Sequence, residues 1–485
     1  MAGDQNPLAG FPFDELPREL LLEIFKNAYP DNVYYGHRLR QRFVYPANLA
    51  QVCKYWRRLA LEERSLWKNI YLMDSMYEYE MGAATRTYLE RSKNLPLFLT
   101  WFSYRRRTRF GVIKKLITSC AARLQRITVF VCNRDVLGKL TTEMGSLSFP
   151  FLQDFEISYM GNRSLPSSFT LYLEAPHLRR CKLDRVPFFQ LPMSNLVVFD
   201  YAMEVCETRG PVDLNPLLEF FPRVAHSLEH VRIKAHPTNV YVYTLNRPKI
   251  ALQKLKSLIV QNSYIFMRHL LTPGLTYLKV SFSKSHLTNG KEVAEMFNDF
   301  SAPELRSIRF RRVPLLPLPA SQNIPLMFPQ LEFCAIVKCD MSAFLPLLEP
   351  LEQKESPFSQ EVSERPQKTQ QAENPFPKLK ELMIVGETSL TALQATIDKR
   401  IENGGKSLQK IYLECWDFPR PPGRRHTRAT AQHLGQQGID LQVLNCGDKL
   451  PETMTTPLAF QDHFFKDERG FFNDILESEY SFQKD

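Results

Sequence analysis

At 485 residues the chain is longer than one ordinary domain, and its 44% apolar and 24% charged content is that of a folded protein. No stretch nears eighteen uninterrupted apolar residues, so no transmembrane helix is expected, and MAGDQNPLAGFPFDELP has neither the basic start nor the apolar run of a secretory signal. The net charge of +10 and pI of about 9.0 admit nucleic acid, an anionic membrane or an acidic protein as partner, without choosing among them.

Residues 1–10 are expected to be disordered. A helical unit is then expected over residues 11–75. Asp14 is placed to cap a helix whose residues Leu16, Leu20, Ile24 and Phe25 recur at near-helical spacing. Pro17 falls where a first turn tolerates proline, and Pro30 ends the run. Residues 30–46 are polar, aromatic and arginine-rich, and read as an inserted loop. A second helix follows Pro46. In LAQVCKYWRRLALEERSLWKNIYL (49–72), Val52, Trp56, Leu59 and Leu66 keep helical spacing before a small turn at Trp67. A unit of this size has more apolar surface than it can turn inward, so some of it wants a partner.

Residues 76–450 carry a different texture. A cassette recurs through it, starting at the end of the helical unit: an apolar residue, another three later, and a third two beyond that. Its members include Trp67/Ile70/Leu72, Leu95/Phe98/Thr100, Leu124/Ile127/Val129, Leu152/Phe155/Ile157, Leu278/Val280 after Leu275, and Leu408/Ile411/Leu413. Successive cassettes start mostly 18 to 32 residues apart, with one gap of 48 between Leu331 and Leu379. The last two apolar residues sit on one side of a strand, and the first enters the same core as the chain turns into it. Many cassettes open on a proline turn, as in SFPFLQDF, LTPGLTYL and PFPKLKEL. One such unit cannot bury its apolar side alone, but a stack can, with parallel strands on one wall and helices or irregular segments on the other. Segments 213–226 and 290–303 read as helices, each ended by a proline. Residues 351–374 read as a disordered insertion, 418–428 as a loop before a last helix and strand with Leu441, Val443 and Leu444, and 451–485 as an acidic, aromatic tail.

The cassettes resemble leucine-rich repeats of the irregular intracellular kind, most fully in LQRITVFVC (124–132) and LEFCAIVKC (331–339), where Cys132 and Cys339 take the turn-capping position. Residues 16–25 and 49–72 together resemble an F-box. The resemblance rests on Leu16-Pro17, Ile24-Phe25, Val52-Cys53-x-x-Trp56, Leu59 and Ser65-Leu66-Trp67, with a longer insertion between the halves than the minimal motif has. Fungal F-box proteins with degenerate leucine-rich repeats resemble the chain over nearly its whole length. The fold expected is therefore α/β: a small N-terminal helical F-box followed by an irregular leucine-rich-repeat solenoid.

That resemblance implies a non-catalytic adaptor. The F-box would dock on the Skp adaptor of a cullin–RING ubiquitin ligase through Leu16, Pro17, Leu20, Ile24, Phe25, Val52, Trp56, Leu59, Leu66 and Trp67. The repeats would hold an unknown protein substrate. Of these residues, Leu16, Pro17, Leu20, Ile24 and Leu66 are expected to face the adaptor, with Trp56 partly internal. Trp67, Ile70 and Leu72 are expected to join the module to the first repeat. An intracellular site, cytoplasm or nucleus, follows from the resemblance and agrees with nine scattered cysteines that form no CxxC pair.

No cofactor or metal is expected. NGGKS (403–407) lacks the first glycine of a phosphate loop, since position 400 is Arg400, and it precedes a strand where the motif follows one. His226, His230 and His236 have a loosely ligand-like spacing, but no cluster of acids or cysteines accompanies them, so satisfied or solvent-facing histidines are expected. Three basic groups remain: Arg105, Arg106, Arg107 and Arg109 beside Trp101, Phe102 and Tyr104; Arg309 and Arg311 flanking a strand, with Arg312 next; and Arg420, Arg424, Arg425 and Arg428 in the late loop. They are candidates for a substrate or polyanion face. The alternative to the adaptor reading is a repeat-based scaffold that binds nucleic acid or acidic proteins through these patches, with no ligase role. Nucleic acid is a weaker reading of them than a solvated surface or a patch for an acidic protein or degron, because the groups sit on different repeats without a recognised motif.

Overall fold

The computed structural model describes residues 16–28, 45–73, 78–104, 110–161, 172–186, 195–203, 212–213, 215–235, 240–241, 248–282, 297, 299–314, 327–349, 376–386, 389–405, 407–414 and 424–444. The expected disordered start, insertion 351–374 and tail 451–485 lie outside these, as do residues 30–44 of the expected loop. The chain forms two compact units, residues 1–193 and Ser194–Ala459.

The first unit begins with helices. Helix α1 spans Arg18–Asn27, α2 spans 45–52, α3 spans Lys54–Glu62, and a 3-10 turn covers Arg64–Trp67. Pro17 stands at the N-cap of α1, the position expected for Asp14; its carbonyl accepts from Leu21 N–H at 3.1 Å, and its missing N–H removes no helical bond. The expected loop ends before position 45, because Tyr45 and Pro46 already belong to α2. Five strands follow: β1 (Asn69–Met73), β2 (Leu97–Ser103), β3 (Leu124–Val131), β4 (Asp154–Tyr159) and β5 (Arg180–Asp184). Each pairs in parallel with the next in chain order. Helices α4 (Glu78–Ser92), α5 (Phe110–Cys120) and α6 (Arg134–Gly145) cross between the first four.

The register aligns the apolar rows. Ile70, Leu99, Ile127, Phe155 and Cys181 form one buried row, and Leu72, Trp101, Val129, Ile157 and Leu183 the next. One cassette was misplaced by one residue. Leu97, Leu99 and Trp101 point inward on β2, where Phe98 and Thr100 were expected, and the β2–β3 register shifts between Leu97 and Phe98. A strand has a period of two, so a slip of one residue exchanges its faces. Phe98 consequently lies on the other face, with Lys68 and Arg126 each 5.1 Å from its ring centre.

In the second unit the strands are β6 (Val198–Met203), β7 (His230–Ala235), β8 (Ser257–Gln261), β9 (Tyr277–Ser281), β10 (Ser307–Arg311), β11 (Phe333–Val337), β12 (Glu381–Val385), β13 (Lys410–Glu414) and β14 (Asp440–Leu444). All pair in parallel in chain order. Phe199, Val231, Leu258, Leu278, Ile308, Cys334, Leu382 and Ile411 share one buried row. Helix α7 covers Asn215–Val224 and contains Pro222, which was expected to end it. Helix α8 covers Leu390–Glu402, and α9 covers Arg424–Gln436 where a loop had been expected up to 428. Most of the expected helix 290–303 lies outside the described residues.

The proline turns have a common geometry. Leu152, Leu178, Leu275, Leu305, Leu331 and Leu379 each donate a backbone N–H to the carbonyl three residues back, at 3.1–3.2 Å. Pro150, Pro176, Pro273, Pro303, Pro329 and Pro377 stand second in these turns, where a fixed φ is already correct. The leucine that closes the turn is buried, so one residue both ends the turn and starts the core row. Beyond the strands, Arg185, Asn262, Arg312 and Lys338 all adopt a φ of 53–56° at the same repeat position, and Gly386 takes it at 132°. The next position returns polar groups to the neighbouring repeat. Ser263 Oγ donates to Ile233 O at 3.3 Å, and Cys339 Sγ accepts from Val313 N–H at 3.4 Å.

Candidate adaptor face and strand face

Helix α1 carries two apolar stripes. Leu21 and Phe25, one turn apart, are buried, and Phe25 meets Trp56 with ring centres 4.7 Å apart. Leu20 is 53% exposed and Ile24 is 42% exposed. With exposed Pro17 they fall at i, i+3 and i+7, one face of the helix; Leu16, just before it, is half-buried. Val52, at the end of α2, is 60% exposed. Three of the large apolar side chains exposed among the described residues therefore belong to this small module.

The expected single helix through Val52 and Trp56 is broken at Cys53, whose backbone is extended (φ −153°, ψ 175°). Its sulfur accepts the Trp56 N–H at 3.4 Å and so caps α3. The break lets Val52 turn outward while Trp56, half-buried, packs on Phe25. Glu63 repeats the device at the next turn, accepting from Ser65 N–H at 3.1 Å. Burial would raise the Glu63 carboxyl, but the Ser65 bonds and the charges of Lys26 and Arg18 leave it below its ordinary value.

Phe25, Leu59, Leu66 and Trp67 were expected among the docking residues and are instead interior. Leu66 is 3% exposed, although it was expected to face outward. It belongs to the 3-10 turn that folds back under α3, a turn that helical spacing carried on from α3 does not reveal. The Trp67 indole donates to Ala60 O at 2.7 Å, stacks edge-on to Tyr88 at 5.3 Å, and lies under the Arg91 guanidinium at 5.0 Å.

On the strand face of the second unit, the side chains opposite the core form registered rows. One row runs Asp200, Arg232, Ile259, Lys279, Arg309, Ala335, Met383 and Tyr412. Arg232 pairs with Asp200 and is nearly buried. Arg309 sits beside Lys279, with Arg311 one row on. Burial, followed by the charges of Arg309, Arg311, Arg232 and Lys234, pulls the Lys279 ammonium down to about 7. Beyond this patch the face turns apolar, where Phe333, Ala335, Val337, Met383, Val385 and Tyr412 cluster. The basic residues thus form a bounded patch and not a continuous stripe. Sequence reasoning missed Lys279, whose signal was its odd-numbered place between two core residues in LTYLKVS. Arg105, Arg106 and Arg107 lie outside the described residues. His230 is held by Ser257 at 2.7 Å and His226 is exposed, while His236 lies outside the described residues. Among the described residues no group of three or more His, Cys, Asp or Glu is placed to hold a metal, and no helix is long and apolar enough to cross a membrane.

Residues 13–73 match the F-box-like family. No curated protein matches the chain. Among solved structures, a crystal structure of a Bacteroides fragilis protein aligns with 14% identity over 76% of this chain and 79% of its own. Its TM-score of 0.25 is too low to bear on the fold.

Proposed function

We propose that this chain is the substrate-recognition subunit of an SCF-type cullin–RING ubiquitin ligase. Its F-box-like module docks on the Skp adaptor, and the strand array, a degenerate leucine-rich-repeat solenoid, holds the substrate. The observation that carries the reading is the F-box-like match over residues 13–73, together with Leu20, Ile24 and Val52, which that module leaves in solvent. Pro17, Leu20, Ile24 and Val52 are the contact residues; Phe25, Leu59, Leu66 and Trp67 hold the module's shape.

The chain does no covalent chemistry in this reading. It brings a substrate lysine near an activated thioester, which makes the transfer effectively intramolecular. It works inside the cell, where its partners are the adaptor, the cullin–RING assembly and a protein substrate. Affinity purification of the tagged chain tests this. The adaptor and cullin should be recovered with the wild type and lost with Leu20→Glu plus Ile24→Glu. Recovery of neither by the wild type overturns the reading.

A further inference from the structure

Where the strand faces of this protein bury charge, they usually pair it. Lys182 meets Glu156 at 2.7 Å, and Arg232 meets Asp200. Among the described residues an exception lies on β9 and β10. Tyr277 Oη and Ser307 Oγ, opposite one another in register, are out of solvent contact and make no hydrogen bond. One row on, Arg309 Nε is also buried and unbonded, and its registered neighbour is Lys279. The cations Arg309, Arg311 and Lys234, and Arg232 in spite of its Asp200 partner, all disfavour the charged form of Lys279.

Unpaired buried donors are expensive, and like charges side by side add to the expense, so the arrangement is complete only with an acceptor in place. The missing group can be specified chemically. A guanidinium and an ammonium donate only, and each hydroxyl can donate, so a metal ion is the wrong partner and an apolar group would satisfy nothing. Two cations side by side, with two hydroxyls one row away, suit a dianion better than a single carboxylate. The patch is also short. Ile259 bounds it on one side and Ala335 on the other, in the same row. It can hold one such group but not a phosphodiester chain.

We propose that Lys279 and Arg309, with the Tyr277 and Ser307 hydroxyls, form a binding site for one phosphate-class oxyanion, either free phosphate or a phosphoryl group carried on a protein side chain. That a carried phosphoryl group would belong to a recruited substrate rests on the adaptor reading; the site itself does not.

Calorimetric titration of the full chain with inorganic phosphate tests the site. A matched pair of peptides follows, one with phosphoserine and one with serine. Saturable phosphate binding is expected, weakened about tenfold or more by Lys279→Met or Arg309→Met. Each variant should also melt higher than wild type without phosphate, because it removes one of two half-buried like charges that lie side by side. A site whose role was merely structural would melt lower. Tighter binding of the phosphopeptide than of phosphate, with no binding of its serine twin, assigns the site to a protein ligand. Equal affinities assign it to the free anion. The absence of saturable binding of phosphate and of both peptides to folded wild type overturns the proposal, as does unchanged affinity in the variants. The wild-type titration decides even if a variant fails to fold. Adaptor recovery is measured separately, so failure of either idea leaves the other standing.

Discussion

The Trp67 indole meets the Tyr88 ring edge-on at 5.3 Å while its N–H is bonded to Ala60 O at 2.7 Å. One side chain therefore ties α3 of the helical module to α4, the first helix of the array. Trp67→Ala removes a large buried ring and strands a carbonyl, so it should lower stability by roughly 3–5 kcal/mol. Urea unfolding of the full chain checks this. Loss of adaptor recovery in this variant would be secondary to misfolding, unlike the loss expected from the surface.

Leu20 and Ile24 supply that contrast. Both are exposed, and neither is needed for the packing of Leu21 and Phe25 on the opposite side of α1. Leu20→Ala and Ile24→Ala should each change stability by no more than about 0.5 kcal/mol. Their effect should appear in adaptor binding, where apolar anchors commonly cost about 1–3 kcal/mol each when truncated. Thermal melts beside a binding titration separate the two quantities.

Much of the array was legible because one spacing, three then two, encodes a turn followed by a strand. The β2 cassette shows the limit. Leu95, Phe98 and Thr100 fit the spacing, yet the inward residues are Leu97, Leu99 and Trp101. With apolar residues on both faces of the strand, spacing alone cannot choose a face. The register with Ile70 and Ile127 chooses it. The helix break at Cys53 was hidden for a related reason, since Val52, Trp56 and Leu59 keep helical spacing across it. Leu99→Ala should cost about 2–5 kcal/mol, and Thr100→Ala about 0.5 kcal/mol or less. Reversed magnitudes would restore the spacing-based register.

Another feature had almost no sequence signal. Arg185, Asn262, Arg312 and Lys338 occupy one repeat position with positive φ, and only Asn262 and Gly386 are residue types that announce it. At Lys338 the φ is 54°, and the backbone N–H donates to Val385 O at 2.6 Å, so the conformation links two repeats. Lys338→Gly should leave stability unchanged or raise it by up to about 1 kcal/mol, as relief of strain offsets a freer unfolded chain. Lys338→Val should lower it by about 1–3 kcal/mol, because a β-branched residue fits this region poorly. Paired urea titrations measure the difference.

Acid should loosen the array through its charged rungs. Glu332 is held below its ordinary value first by the hydrogen bond from Lys380, at 2.9 Å, and Glu229 likewise by Lys256, at 2.6 Å. Each pair joins one repeat to the next. A carboxyl lowered in the folded state binds fewer protons there than in the unfolded chain. Its stabilisation is therefore present above the ordinary carboxylate value of about 4.5 and disappears as pH falls through the folded value. These side chains are partly solvated, so each rung contributes on the order of 0.2–1 kcal/mol. Glu332→Gln should accordingly lower stability at pH 7 and make little difference near pH 3. Urea unfolding of wild type and variant at both pH values gives the comparison, and an equal deficit at the two would remove the rung from the account of acid sensitivity.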